Sequence, residues 1–167
     1  MSPSLNSQVV PIAEVSQSDA VVHNGKYRPV VLIVDDERVI ADTLSIILKK
    51  NGFSTLTAYD GKSALEIART TPPALLISDV VMPGMTGVEL AIALTQTIPA
   101  CKVLLFSGQA ATVDLLENAR NAGYNFTTLV KPVHPTDILR RISECLTPRG
   151  SLSETVPEFS FSSSLYQ

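Results

Sequence analysis

Between residues 29 and 147 the chain alternates short apolar runs with amphipathic segments five times, and this alternation restricts the possible folds more than any other feature of the sequence. Strands that alternate with helical patterns build βαβ units, and repeated units build a parallel sheet with helices on both faces. The runs at 30–34, 54–58, 74–78, 103–106 and 126–130 are mostly aliphatic or β-branched, as strands covered on both faces must be. The intervening segments carry helical periodicity. Ile40, Leu44, Ile47 and Leu48 share one face of a first helix that closes at Asn51-Gly52. Asp60 caps a second helix, ahead of Ala64, Leu65 and Ala68, and Pro72-Pro73 forbids its extension. A third follows Thr86 and Gly87 and ends before Pro99, a fourth covers 112–122 and halts at Gly123, and a fifth runs from Pro135 to Leu146. The expected class is a doubly wound α/β domain.

The remaining segments differ in character. Residues 1–28 mix Ser, Gln, Asn and Pro with a few valines and are expected to form a flexible N-terminal extension. Residues 148–167 form a Ser-rich C-terminal tail with Phe159, Phe161, Leu165 and Tyr166 scattered along it. The domain is then 29–147, and no second domain of ordinary size fits after it. With 45% apolar and 17% charged residues the chain is neither wholly disordered nor a disulfide scaffold. A formal charge of −3 and the lack of any Lys/Arg-rich run give no support to non-specific nucleic-acid binding. Cys101 and Cys145 form no C-x-x-C pair and fit reduced thiols of a cytoplasmic protein. The N-terminus lacks a signal-peptide pattern, and no apolar stretch is long enough to span a bilayer.

In an open parallel sheet, ligands bind outside the carboxyl ends of the strands, so the residues that follow each apolar run carry the chemistry. After the first run come Asp35 and Asp36, after the third Asp79, after the fourth Ser107, and after the fifth Lys131 with Pro132. Taken singly, each has a plainer explanation: an Asp after a strand is commonly a cap or turn former, and a Lys there is commonly solvated. Asp35-Asp36-Glu37 would also complement a helix dipole. None of these explains why the residue types complement one another. Three carboxylates at one rim repel, and a hard divalent cation with oxygen ligands offsets that; Mg2+ suits a site with few protein ligands. Asp79 has the chemistry of a nucleophile that forms an acyl phosphate, with Lys131 and the Ser107 hydroxyl facing the phosphate charge.

These residues lie in four ordered motifs, VLIVDDE at 31–37, SDVVMPGMTGVEL at 78–90, LLFSGQA at 104–110 and VKPV at 130–133. Together they resemble the receiver domain of two-component response regulators over about 29–147. The resemblance implies a flavodoxin-like, five-stranded parallel sheet of strand order 2-1-3-4-5, the order of the chemotaxis receivers. It implies phosphorylation of Asp79, direct metal binding by Asp36, Asp79 and the Val81 carbonyl, and water-mediated binding by Asp35. Lys131 would contact the phosphoryl group across a cis Lys131-Pro132 bond, and Ser107 would move toward it.

The implied role is that of a single-domain regulator, not an enzyme beyond its own phosphoryl transfer. It would be charged by a histidine kinase or phosphotransfer protein and act through the face of the fourth helix, fifth strand and fifth helix, as a cytoplasmic monomer or weak homodimer. It would contact neither nucleic acid nor membrane directly.

Two departures stand out. Thr128 replaces the aromatic residue common three positions before the lysine, so a Ser107–Thr128 rearrangement would replace an aromatic flip. Val81 and Gln109 occupy positions that tune dephosphorylation in the family this chain resembles, and Val81 cannot orient an attacking water, which implies slow self-dephosphorylation. Two other readings differ in class. A haloacid-dehalogenase-like phosphatase needs an acid at position 81, where this chain has Val81. A receiver-like module that binds proteins without phosphorylation would use the same fold.

Overall fold

The computed structural model describes residues 20–23, 26–108 and 112–147. The order of elements is β1 (Ala20–His23), β2 (Lys26–Val34), α1 (Arg38–Lys50), β3 (Ser54–Ala58), α2 (Gly61–Thr70), β4 (Leu75–Asp79), α3 (Gly87–Thr97), β5 (Lys102–Ser107), α4 (Val113–Asn121), β6 (Thr127–Val130) and α5 (Pro135–Leu146). Five strands pair in parallel in the order β3-β2-β4-β5-β6. This is the doubly wound, flavodoxin-like sheet of order 2-1-3-4-5 when counted from β2. The tail 148–167 and the segment 1–19 lie outside the described residues.

The structure adds one strand to the expected set. β1 falls within the segment expected to be an extension, and β2 begins at Lys26 instead of residue 30. The two pair antiparallel, from His23 against Lys26 to Ala20 against Pro29. The sequence between them is Asn24-Gly25, the dipeptide that most favours a two-residue hairpin. Pro29, which has no N–H to donate, stands at the end of that ladder. Elsewhere strand limits shift by a residue, with Asp79 closing β4 and Ser107 closing β5.

The sheet buries both faces, and alternation along each strand decides which side chain goes where. Leu32, Val34, Leu76, Val103 and Leu105 pack with Ala64, Ala68, Leu90, Ala91, Leu94 and Ala119 of α2, α3 and α4. Val31, Ile33, Leu75, Ile77, Leu104 and Phe106 pack with Ala41, Leu44, Leu48, Ile138 and Ile142 of α1 and α5. Helix ends follow local chemistry. The Asp60 carboxylate accepts from the Ser63 N–H, Thr86 and Glu89 form a reciprocal capping box, and Gly52 takes φ 92° after α1. No helix among the described residues is long and apolar enough to cross a membrane. Cys101 and Cys145 are both thiols, the first buried and the second partly so.

α3 starts against the strand that carries Asp79. The Gly87 N–H donates to the Val80 carbonyl at 2.9 Å, and a Cβ on Gly87 would overlap the Asp79 carbonyl oxygen. Because the obstacle is backbone, it cannot rotate away. Gly87→Ala should therefore destabilise the domain by about 1–3 kcal/mol or more, as overpacked sites do, read as a lower urea midpoint; an unchanged midpoint would show that α3 slides freely.

Candidate functional site

Strand register builds the site. Val34 of β2 pairs with Ser78 of β4, so Asp35 leaves the sheet level with Asp79. Asp79 pairs with Phe106 of β5, which puts Ser107 one residue beyond, and Ser107 pairs with Val130 of β6, directly before Lys131. Main-chain bonds hold these ends together: Asp35 N–H to the Ala58 carbonyl at 3.3 Å, Val80 N–H to Phe106 at 3.0 Å, and Lys131 N–H to Ser107 at 2.9 Å. Residues far apart in sequence thus meet because parallel strands end on one side.

The side chains converge accordingly. Carboxylate oxygens of Asp35, Asp36 and Asp79 lie within 4.8 Å of one another. The Lys131 ammonium stands 3.2 Å from Asp79 Oδ1 and 3.6 Å from Asp35 Oδ2. Asp35 is 3% exposed and accepts the Glu37 N–H at 2.9 Å, whereas Asp36 is exposed and Asp79 is half-buried. Ser107 is buried at the end of β5. Val81 lies in the loop two residues past Asp79 and is exposed; its side chain is aliphatic, so only its main-chain carbonyl can offer an oxygen ligand. The Lys131-Pro132 peptide is cis. Thr128 pairs with Leu105, two residues before Ser107, and shares its face of the sheet. Gln109 lies outside the described residues.

Charge decides what this cluster can hold. Three carboxylates against one ammonium leave two negative charges uncompensated in a partly buried rim, which matches a divalent cation with oxygen ligands. Burial pushes the Asp35 carboxyl above its ordinary value, and repulsion from Asp79 and Asp36 adds to this against the opposing Glu37 N–H and Lys131. The arrangement is chemically suited to a cation and leaves the Asp79 carboxylate open toward an electrophile.

Sequence reasoning does not find the supports of this site. The Gly87 approach to Asp79 and the Glu37 N–H bond to Asp35 both arise from close packing of main chain, which residue types do not announce.

The raised Asp35 value fixes a pH dependence. Keeping this side chain ionised costs the folded state above the ordinary carboxylate range, and the cost vanishes as pH falls through the raised titration. Without divalent cations, Asp35→Asn should raise the urea midpoint at neutral pH, and the gain should fade on acidification through that titration. An equal gain at both pH values would exclude burial of charge as the cause.

The response regulator receiver domain family matches residues 31–143. The chain is 32% identical over 120 residues to the probable transcriptional regulatory protein TcrX of Mycobacterium tuberculosis, covering 72% of this chain and 50% of the relative. It is 28% identical over 112 residues to the DNA-binding response regulator MtrA of Mycobacterium leprae, covering 67% and 48%. The chain thus spans about half the length of these curated relatives. Among solved structures, the CheY-like receiver domain protein of Methanospirillum hungatei superposes with a TM-score of 0.66 at 29% identity, covering 71% of this chain and 94% of that one. The Vibrio cholerae chemotaxis protein CheY4 gives 0.64 at 30% identity, covering 71% and 99%. With its fold, its rim of carboxylates and its sequence in agreement, the chain belongs to the response regulator receiver domains of two-component systems.

Proposed function

We propose that this receiver accepts a phosphoryl group on Asp79 from a histidine kinase or phosphotransfer protein and passes the signal on through a protein-binding surface. The observation that carries the reading is the Lys131 ammonium 3.2 Å from Asp79 beside the cluster of three carboxylates. Asp36 and Asp79, with Asp35 behind them and the Val81 carbonyl alongside, are the residues that would hold magnesium. When bound, the ion supplies positive charge to the phosphate oxygens.

The chain's own groups do the rest. The Asp79 carboxylate attacks phosphorus, forming an O–P bond as the donor's bond to phosphorus breaks and the electron pair leaves with the donor. Lys131 offsets the added charge, and the Ser107 hydroxyl donates a hydrogen bond to a phosphate oxygen. No further enzymatic activity is assigned beyond this self-catalysed transfer and slow hydrolysis.

The output face is that of α4, β6 and α5, where Val113 and Val130 are large apolar side chains 51% and 65% exposed. Val130 pairs with Ser107 and precedes Lys131, so a change at the phosphate reaches this face through one strand end. The curated relatives include a DNA-binding regulator. For the present chain we assign a protein partner, since its net charge of −3 offers nucleic acid no attractive field. A cytoplasmic location and a monomeric or weakly dimeric state complete the reading.

Incubation with acetyl phosphate and magnesium should add the mass of one phosphoryl group to the intact protein. Asp79→Ala or removal of divalent cations should abolish the addition. An unmodified wild-type protein would favour a receiver used only for binding, and label retained by Asp79→Ala would move the acceptor elsewhere. Val81→Asn should shorten the phosphoryl lifetime several-fold, because an amide can orient water where Val81 cannot; an unchanged lifetime would remove Val81 as the cause of slow hydrolysis.

A further inference from the structure

α1 begins directly after the acidic pair, yet its N-terminus has no side-chain cap: Glu37 makes no capping hydrogen bond and the first turn holds no acidic residue. Such an end frays unless something else secures it. Two contacts meet it here: the Glu37 N–H donates to Asp35 Oδ1 at 2.9 Å, and the following turns rest on Tyr59. The Arg38 guanidinium lies over the Tyr59 ring with Cζ 4.0 Å from the ring centroid, and the Tyr59 hydroxyl donates to Asp42 Oδ1 at 2.9 Å. Arg38 and Asp42 are one turn apart on the same face of α1, so a single side chain grips the helix at two points.

Tyr59 is itself a fixed post. The residue before it, Ala58, accepts the Asp35 N–H, and the residue after it, Asp60, caps α2 through the Ser63 N–H at 2.8 Å. Its ring also packs against the buried cluster formed with α1 and α5. Asp36 is exposed and lies two residues before Arg38. Its main chain leads directly into the turns that rest on Tyr59.

We propose that Tyr59 is a positioning residue for the cation-binding half of the site, tethering the first turns of α1 so that Asp36 stays aimed at Asp35 and Asp79. This rests on the reading that the acidic cluster takes magnesium. The tether acts on affinity for the cation and not on the phosphoryl step, because neither Arg38 nor Asp42 belongs to the group of residues around Lys131.

The test is the rise of the thermal midpoint of the full chain with magnesium concentration, without phosphodonor, which reports binding by linkage. Tyr59→Leu should weaken magnesium binding about threefold to tenfold, at or below the low end of effects seen for groups that touch a metal ligand directly. Tyr59→Phe, which keeps the ring under Arg38, should fall between Leu and wild type. Arg38→Lys keeps the charge and loses the planar stack, and should weaken binding about twofold to threefold; it serves if Tyr59→Leu does not fold. At saturating magnesium the acetyl phosphate rate of Tyr59→Leu should match wild type. Variants with a lower midpoint but the wild-type magnesium response would overturn the tether. A wild-type protein with no magnesium response would instead overturn the metal reading beneath it.

Discussion

Lys131 bridges two carboxylates that would otherwise repel, and much of the rim depends on that bridge. Its ammonium reaches Asp79 and Asp35 at once, because β6 ends one residue before it and β6 is in register with β5. The bridge leaves charge over: one ammonium faces three carboxyl groups, and burial raises the pKa of the most buried of them, Asp35. A rim in that condition is chemically suited to positive charge. The fold supplies the strain, through burial, and the relief, through position.

The architecture is largely legible in the sequence because parallel strands buried on both faces leave continuous apolar runs, and such runs stand out against amphipathic helices. Asp35, Asp36, Asp79, Ser107 and Lys131 are legible for a related reason. A polar residue that ends an apolar run in this class of sheet has only one rim to occupy. The β1–β2 hairpin is hidden because four residues of strand make too short a signal, even with Asn24-Gly25 between them. The supports of the site are hidden for a deeper cause: Gly87 against the Asp79 carbonyl and Tyr59 under Arg38 are relations between elements, and no local pattern encodes the distance between two elements.

The two halves of the rim are built differently. On the Lys131 side, main-chain bonds between β5 and β6 fix the positions, and side chains merely extend from them. On the Asp36 side, the ligand sits beyond the last strand residue and depends on the entry of α1. On the proposed function, that asymmetry would separate Lys131, which faces phosphate charge, from Asp36, which faces the cation, so that substitutions on one side tune one property with little effect on the other.

The absence of a side chain at Gly87 has mechanical weight. With α3 seated directly on the carbonyl of Asp79, that flank of the rim is a rigid abutment, close-packed and without slack. On the proposed function, movement that follows a new charge on Asp79 would be taken up on the opposite flank, at Ser107 and Gly108. Such a domain would respond as a lever with one clamped arm, its direction set by packing already in place.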